Sequence, residues 1–255
     1  MPADRVESGV TTWRIWPDRS GGLNSRGQRP ACEEYFLPVV RFARPRPGAR
    51  HSIETTVVKA LILNCSLKPS SESSSTEQLA GIVVSELQAH GLNCTMLRVA
   101  DRNIPPGVKT DMGGDDEWPD IHRQLSESQV LVMASPTWVG RPSSIAQRVL
   151  ERMDAMITEM VNGRPAAYGK VAGVVVTGNE DGAHHVISEI SGGLVDIGFT
   201  IPPQASTYWN RGPGPGKDYQ ETTEGHEWSA RTGRQAARNL VSVARALQHA
   251  ALQYQ

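Results

Sequence analysis

The sequence has few cysteines, no long apolar run and almost no net charge, and each shortage excludes a class of protein. Its 255 residues include three cysteines, Cys32, Cys65 and Cys94, which form no CxxC motif and no cluster spaced for a metal ion. This odd, small number fits a reducing compartment better than a disulfide scaffold. No apolar stretch is long enough to cross a bilayer, and no charged-then-apolar signal opens the chain. The sequence therefore predicts a cytoplasmic protein with no membrane partner and no bound metal.

The net charge of −1 argues against a protein that binds nucleic acid over a large surface. Hydrophobic residues make up 38% of the chain and charged residues 21%, which is typical of a globular protein. The length allows one domain of ordinary size with some residues left over. We therefore expect one globular domain and no nucleic-acid partner.

Residues 1–55 differ in composition from the rest of the chain. Residues 1–50 hold nine of the 26 basic residues, all arginine, against five of the 27 acidic ones. The stretch RFARPRPGAR at 41–50 has two prolines and no helical period, and it buries too little apolar surface to offset its ordering entropy. The favoured interpretation is a basic, poorly ordered extension. A targeting peptide is the alternative, although the acidic residues count against it, and the aromatic residues leave open packing on a neighbouring subunit.

From residue 56 to about 250, apolar β-branched runs alternate with segments of helical period. The predicted strands are 57–65, 92–100, 130–138, 171–179 and 199–207. The predicted helices are 76–91, 117–129, 144–160, 183–198 and 229–248. This alternation predicts a three-layer, doubly wound α/β domain with a five-stranded parallel sheet, right-handed crossovers and helices on both faces.

Two of the predicted helices carry more specific expectations. In the helix at 144–160, the residues spaced to face a core are Ile145, Val149, Met153, Met156 and Met160. In the helix at 183–198, the adjacent glycines 192 and 193 predict an interruption.

In sheets of this kind ligands bind beyond the carboxyl ends of the strands, so the loops there carry the functional signal. The first loop, NCSLKPSSESSSTEQL, contains neither the G-x-G-x-x-G dinucleotide motif nor a Walker A motif. It offers Lys68 and a run of hydroxyls leading into a helix, a combination that forms phosphate sites. The alternative is a flexible serine loop whose only role is to cap the helix.

The second loop is SPTWVGRPSS, at 135–144. Pro136 and Pro142 stiffen it, Gly140 lets the backbone approach a ligand, and Trp138 offers a flat apolar face. Thr137 and the loop N–H groups can donate hydrogen bonds to a ring edge. In the alternative interpretation, Trp138 fills the core and Pro142 only begins the next helix.

The third loop is TGNEDGAHH, at 177–185. Gly178 and Gly182 again allow close approach of the backbone to a ligand, and Asn179 or Asp181 is placed to cap the next helix. Taken together, the three loops predict a slot for a flat, phosphorylated molecule.

No catalytic side chain is predicted. His184 and His185 are adjacent, so they point away from each other on a helix and are spaced badly for one metal. A general-base role for His184 is one interpretation, and a surface histidine is the favoured one. No Ser-His-Asp set can be assembled, and the Cys65 thiol lies at a strand end where it is expected to be inert.

From about residue 57 to 247 the chain resembles the flavodoxin-like NADPH-dependent FMN reductases. The resemblance rests on Ser66 with the hydroxyl loop to Thr76, on the S-P-T-x-x-G-x-P-S-S pattern at 135–144, and on TGNEDG at 177–182. It implies a flavodoxin-like sheet of strand order 2-1-3-4-5, FMN as cofactor, NADPH or NADH as cosubstrate, and a homodimer or homotetramer. The first loop is longer than the version common in the family.

The resemblance also assigns residues to the cofactor. In the first loop these are Ser66, Lys68, Ser74, Ser75 and Thr76, beside the phosphate. Along the ribityl chain and the ring they are Pro136, Thr137, Trp138, Val139, Gly140, Thr177, Gly178, Asn179 and Gly182. Trp138, Tyr208 and Trp209 are candidates to stack on a second substrate.

The implied activity is an NAD(P)H-dependent reductase that moves hydride to FMN and on to a flavin, a quinone or another small electrophile. No acid–base pair is needed for that transfer. Two alternatives stay open. One is a flavodoxin-type electron carrier, although such carriers are usually strongly acidic. The other is a flavin-free binding protein on the same fold, in which the basic extension would carry the binding activity.

Overall fold

Parallel strands and helices alternate along the part of the chain that the computed structural model describes, residues 58–214, 216–250 and 252–254. The extension predicted at 1–55 lies outside these residues. In chain order the elements are β1 (Lys59–Asn64), α1 (Ser75–Ala89), β2 (Asn93–Arg98), α2 (Trp118–Glu127), β3 (Val130–Trp138), β4 (Arg141–Pro142), α3 (Ser144–Met153), β5 (Met160–Val161), β6 (Arg164–Pro165), β7 (Val171–Gly178), α4 (Ala183–Ile197), β8 (Ser206–Asn210) and α5 (His226–His249).

The main sheet has the strand order β2-β1-β3-β7-β8, and all four of these pairings are parallel. The predicted doubly wound fold and its 2-1-3-4-5 order are therefore confirmed, with β7 and β8 as the fourth and fifth parallel strands. The chain reverses its direction of travel across the sheet between β1 and β3, which places the expected ligand crevice above their carboxyl ends. No helix within the described residues is long and apolar enough to span a membrane.

Two apolar layers cover the two faces of this sheet. Alternate side chains of β1 point to opposite faces, so Leu61 and Leu63 pack with α2, α3 and α4, while Ala60 and Ile62 pack with α1 and α5. Five of the six residues of β1 are buried, Lys59 being the exception, and every residue of β7 is buried. Such two-sided burial explains why both strands read as continuous apolar runs. It also fixes the positions of the strand ends that carry the loops.

The fifth strand was predicted at 199–207, but the structure places β8 at Ser206–Asn210. Within 199–205 a single bridge joins Thr200 to Val171 of β7. Pro202 and Pro203 have no N–H to donate to a ladder, so the chain turns there and pairs only afterwards. The prediction of the strand was right and its position was wrong.

The helix predicted at 144–160 ends at Met153, and a 3₁₀ turn and the β5–β6 hairpin follow it. Asn162 and Gly163, both with positive φ, form the tight turn of that hairpin. Val149, Met153 and Met156 are buried as predicted. Met160 is 51% exposed, so its predicted core position was wrong.

Helix α4 runs unbroken from Ala183 to Ile197, so the predicted interruption at its glycines was also wrong. A Cβ on Gly193 would lie 3.4 Å from Leu150 of α3. This glycine therefore lets the two helices pack closely, which a local reading of helix propensity does not reveal.

Candidate functional site

Residues of the three predicted loops meet in one cleft at the carboxyl edge of the sheet. The residues that line it are Ser66, Leu67, Lys68, Ser74, Ser75, Thr76, Pro136, Thr137, Trp138, Thr177, Gly178, Asn179, Asp218 and Tyr219. Three residues that the sequence assigned to the site, Val139, Gly140 and Gly182, do not line it. Three that the sequence missed, Leu67, Asp218 and Tyr219, do.

The first loop combines a helix cap with unused hydrogen-bond donors. Ser74 is the N-cap of α1, and its hydroxyl accepts from the Glu77 N–H at 3.2 Å. The first N–H groups of the helix, on Ser75 and Thr76, have no intrahelical acceptor and point out of its amino end. Thr76 and Thr177 share a hydrogen bond of 2.7 Å between their hydroxyl oxygens, which ties the helix start to the end of β7. The capping interpretation is correct for Ser74, and the helix start still presents donors to the cleft.

Arg98, at the carboxyl end of β2, holds this loop in shape. Its Nη1 donates to the backbone carbonyls of Lys68 and Pro69, both at 2.9 Å, and its Nη2 pairs with the carboxylate of Glu77. The side chain is 3% exposed. Sequence reasoning missed this residue, because its only local signal is a positive charge at the end of a strand.

We expect Arg98→Met to lower the free energy of unfolding by about 1–3 kcal/mol, because it removes a buried guanidinium that bonds two loop carbonyls and the Glu77 carboxylate. Urea unfolding followed by circular dichroism would measure the change. Arg102→Met is the matched control, since the Arg102–Glu117 pair is partly exposed at 35% and 39% and should contribute less than about 1 kcal/mol. Equal losses in the two variants would contradict the role given to Arg98.

The second loop is a β-hairpin tip. Thr137 pairs with Pro142 and Trp138 with Arg141, and the two residues between them, Val139 and Gly140, have φ of 53° and 70°. Two positive φ values in a two-residue connection are typical of a type I′ turn. Trp138 is 52% exposed, so the interpretation that it fills the core is wrong.

Two serines anchor this hairpin from below. Ser143 is the N-cap of α3: its hydroxyl accepts from the Ala146 N–H at 3.1 Å and donates to the Cys65 carbonyl at 2.6 Å. The Ser143 N–H donates in turn to the Ser135 hydroxyl at 3.0 Å. Ser135 and Ser143 of the S-P-T-x-x-G-x-P-S-S pattern therefore join the ends of β1 and β3, and neither lines the cleft.

The third loop packs tightly against the second. A Cβ on Gly178 would lie 3.0 Å from Thr137, and one on Gly182 would lie 2.9 Å from the Cα of Gly140. Gly182 has φ 110° and is itself the N-cap of α4, without a side-chain hydrogen bond. The predicted caps, Asn179 and Asp181, were therefore wrong, since the backbone of Gly182 begins the helix.

Asn179 instead reaches a fourth segment of the site. Its side-chain amide donates to the Asp218 carboxylate at 2.9 Å. Tyr219 follows and stacks on the His226 ring at 3.7 Å between centroids, and burial raises the pKa of its phenol. The sequence carries no signal for this segment, because Asp218 lies 39 residues after Asn179 and follows a stretch rich in glycine and proline.

Three buried polar atoms at or near the loops of the cleft have no hydrogen-bond partner among the described residues: Thr137 Oγ1, Asn64 Nδ2 and Arg98 Nε. Thr137 is 5% exposed and lines the cleft. A buried polar group without a partner costs about 1–3 kcal/mol. The Thr137 oxygen itself is shielded from solvent and lies against Gly178, so a ligand in the cleft would pair with it only after rotation about the Thr137 Cα–Cβ bond.

The other candidate groups are not placed for chemistry. Burial raises the pKa of the Cys65 thiol, which stays protonated and unreactive. His184 is exposed and packs edge-to-face on Tyr208, outside the cleft. Trp209 is buried and donates to the Glu224 carbonyl at 2.7 Å, so it has a packing role. Among the residues that the structure describes, no group of three or more His, Cys, Asp and Glu is placed to hold a metal ion.

Comparison with known proteins gives this cleft a context. The model of the NADPH-dependent FMN reductase family matches residues 58–211. The chain is 34% identical over 176 residues to the 8-demethyl-8-aminoriboflavin-5′-phosphate synthase of Streptomyces davaonensis, covering 64% of this chain and 68% of that protein. It is 37% identical over 174 residues to the divalent metal cation transporter MntH of Mycobacterium bovis, covering 66% of this chain. The chain spans only 25% of the length of that transporter.

Solved structures agree with the fold. RosB with its bound intermediate 8-demethyl-8-formylriboflavin-5′-phosphate superposes with a TM-score of 0.69 at 31% identity, over 76% of this chain and 81% of RosB. A flavone reductase superposes with a TM-score of 0.53 at 13% identity, over 78% of this chain and 66% of that one. An NADH:FMN oxidoreductase superposes with a TM-score of 0.52 at 13% identity, over 74% of this chain and 90% of that one. The last two show a shared fold alone.

Proposed function

Because this chain belongs to the NADPH-dependent FMN reductase family, we propose that its cleft binds FMN and that the protein moves hydride from NADPH or NADH, through FMN, to a small acceptor. The acceptor is a flavin, a quinone or another small electrophile. The observation that carries the proposal is the lining of the cleft, which combines the hydroxyl-rich amino terminus of α1 and Lys68 with Asn179 and the exposed ring of Trp138. FMN carries a phosphate that would suit the helix amino terminus and a planar ring with polar edge atoms that would suit the second and third loops.

The first loop would hold the phosphate. Ser75 and Thr76 present backbone N–H groups at the start of α1, where the helix dipole favours an anion. Lys68 belongs to the same loop, also lines the cleft and adds a positive charge. Arg98 orders the loop from behind, although its guanidinium already binds backbone carbonyls.

The second and third loops would hold the ring. Thr137 would bring its unpartnered hydroxyl to the ring by rotation about its Cα–Cβ bond, and Gly178 lies so close to Thr137 that the wall there has no room for another side chain. Asn179 is held by Asp218 and lines the cleft. Bound FMN would supply hydride acceptance and donation, while these residues bind and orient it. Polar groups fixed at the ring edge would stabilise the charge of the reduced flavin.

A second substrate would approach from the open side of the cleft. Trp138 lines the cleft and is 52% exposed, so its ring offers a flat surface against which a nicotinamide or an aromatic acceptor could stack. Of the aromatic candidates named from the sequence, Tyr208 and Trp209 do not line the cleft. A homodimer or homotetramer and a cytoplasmic location remain predictions.

A second candidate function treats the flavin as substrate. The relatives at 31–34% identity are a synthase of a modified riboflavin 5′-phosphate and RosB with a formylriboflavin phosphate bound, whereas the flavone reductase and the NADH:FMN oxidoreductase match at 13%. In this alternative the same cleft would bind FMN in order to change it chemically.

Absorption spectroscopy of the purified full-length protein tests both functions. We expect FMN to bind and its spectrum to bleach when NADPH or NADH is added without oxygen. Mass spectrometry of the released flavin should then return unmodified FMN. A flavin that binds but stays oxidised would favour the electron carrier, and a flavin of altered mass would favour the second candidate. Failure of FMN to bind in excess would overturn both.

Replacing Thr137 with valine should separate flavin binding from stability. Thr137→Val keeps the shape but removes the unpartnered hydroxyl, so FMN binding should weaken about fivefold to tenfold, while the flavin-free protein is as stable or up to about 1 kcal/mol more stable. Fluorescence titration with FMN and urea unfolding would measure the two effects.

Thr207→Val is the matched control. The Thr207 hydroxyl donates to the Ser229 carbonyl at 2.8 Å, away from the cleft. The same substitution there should lower stability by about 1–2 kcal/mol and leave FMN affinity unchanged. FMN affinity unchanged in Thr137→Val would remove Thr137 from the site.

A further inference from the structure

A second cavity lies at the edge of the sheet, between α4 and α5 and over strand β8. Its volume is about 740 Å³, within the range of about 300–1,000 Å³ that is typical of small-molecule sites. Ser206 and Tyr208 of β8 line it, with Ile187 of α4 and Trp228 of α5 at its sides. It shares no lining residue with the cleft. We refer to this cavity as the β8 groove.

The β8 groove is positively charged. Arg231, Arg234 and Arg238 line it from successive turns of α5, and no Asp or Glu lines it. Arg238 pairs with Glu86 at 2.8 Å, but no ion pair within the described residues involves Arg231 or Arg234. Like charges three and four residues apart on a helix repel each other. An anion in the groove would relieve that repulsion.

The β8 groove also offers aromatic surface. Trp228 is 40% exposed and packs edge-to-face on Tyr208, with 4.8 Å between ring centroids. His184 also packs edge-to-face on Tyr208, with 4.9 Å between ring centroids. An exposed tryptophan whose orientation is fixed by its neighbour provides a preformed surface for a planar ring.

Backbone groups at the edge of the sheet complete the lining. The Val174 N–H donates to the Ala205 carbonyl, and in a parallel pair alternate residues face the partner strand. The N–H and C=O groups of Ser206 and Tyr208 therefore face away from β7, toward the β8 groove. They offer donors and acceptors at fixed positions, which gives the groove a means of selecting among ligands.

We propose that the β8 groove binds a phosphorylated aromatic molecule of the nucleotide type. The ring would pack against Trp228 and Tyr208, and the phosphate would bind Arg231 and Arg234. The positive charge of the groove argues against two other occupants. Residues 1–50 of this chain carry nine arginines, and a second copy of the groove would present the same three arginines, so each would be repelled. Strand β8 connects the two sites, since Ser206 and Tyr208 line the groove and Asn210 at its end pairs with Gly178 of the cleft.

Isothermal titration calorimetry with AMP tests the proposal on full-length protein saturated with FMN, which keeps AMP out of the flavin cleft. AMP should bind at least about tenfold more tightly than adenosine or inorganic phosphate. Trp228→Ala should weaken AMP binding about tenfold, as expected for loss of one stacked base. Arg234→Glu should weaken it about tenfold or more, as expected for a lost charge-assisted hydrogen bond.

Arg245→Glu is the matched control. Arg245 lies on the same helix, donates to the His90 carbonyl and does not line the groove, so its substitution should change AMP binding less than twofold. No measurable AMP binding would overturn the proposal. So would equal affinity for adenosine or phosphate, or equal losses in Arg234→Glu and Arg245→Glu. Neither groove variant should alter FMN binding. If FMN does not bind, the same titrations on the flavin-free protein still test the groove, because Trp228 and Arg234 do not line the cleft.

Discussion

Replacing Gly178 with valine is expected to weaken FMN binding about 100-fold. A single Cβ at this position would lie 3.0 Å from the Cβ and Oγ1 of Thr137 and 3.1 Å from the Glu180 carbonyl. The two further methyl groups of valine must then displace Thr137 or enter the cleft. Overpacking of this kind costs about 1–3 kcal/mol, and here the cost falls on the wall that would contact the ring. Fluorescence titration with FMN would measure the loss.

The control for this prediction is Gly212→Val. A Cβ at Gly212 meets no atom within 4 Å, so this variant should bind FMN within twofold of the wild type. The melting temperature of each flavin-free variant should be measured beside its affinity. If Gly178→Val does not fold, Gly178→Ala provides the smaller perturbation and should still weaken binding. Wild-type affinity in a folded Gly178 variant would show that FMN does not contact this wall.

Arg152→Met is expected to lower the free energy of unfolding by about 3–5 kcal/mol, because it leaves a buried carboxylate without its cation. Arg152 is 0% exposed and Asp116 is 1% exposed, and Nη2 and Oδ2 lie 2.6 Å apart. Burial acts to raise the pKa of Asp116, but hydrogen bonds from Arg152 and from the Met112 and Trp118 N–H groups outweigh it, so the pKa lies below its ordinary value. The carboxylate therefore stays charged in the folded protein.

Arg152 also binds the long connection between β2 and α2 to the rest of the domain. It donates to the carbonyls of Pro105, Lys109 and Thr110, so residues 105–116 are held to the end of α3 by one side chain. Methionine fills much of the volume but offers no donors to these carbonyls. The loss should therefore exceed that of a simple ion pair.

A double variant and a surface control make this prediction specific. Asp116→Asn in the Arg152→Met background removes the buried charge, so it should recover at least about 1 kcal/mol of the loss. Arg123→Met is the control, because Arg123 is 59% exposed and its pairs with Asp120 and Glu127 should contribute less than about 1 kcal/mol. Urea unfolding of the wild type, Arg152→Met, the double variant and Arg123→Met would measure these differences in stability. A loss below 1 kcal/mol in Arg152→Met would show that the pair does not hold the connection.

Local patterns in the sequence were sufficient for the architecture. The apolar run at 130–138 predicts β3 with its observed bounds, because a strand buried on both faces needs an uninterrupted apolar segment. The three loops that follow the first, third and fourth parallel strands were identified as a site for the same kind of reason. Parallel strands bring their carboxyl ends to one edge, so residues far apart in the chain, such as Ser75, Thr137 and Asn179, were expected to meet, and they line one cleft.

The sequence by itself thus determined the strand and helix alternation, the fold that follows from it, and the edge of the sheet that carries the cleft. Tertiary structure decided what depends on neighbours distant in the chain. Arg98 orders the first loop through carbonyls about 30 residues away, and Asp218 holds Asn179 across 39 residues. Gly182 faces the hairpin tip instead of the cleft because Gly140 lies against it. Periodicity and motif spacing report which face of an element is buried, but hydrogen bonds and close contacts between loops depend on three-dimensional positions that no local pattern encodes.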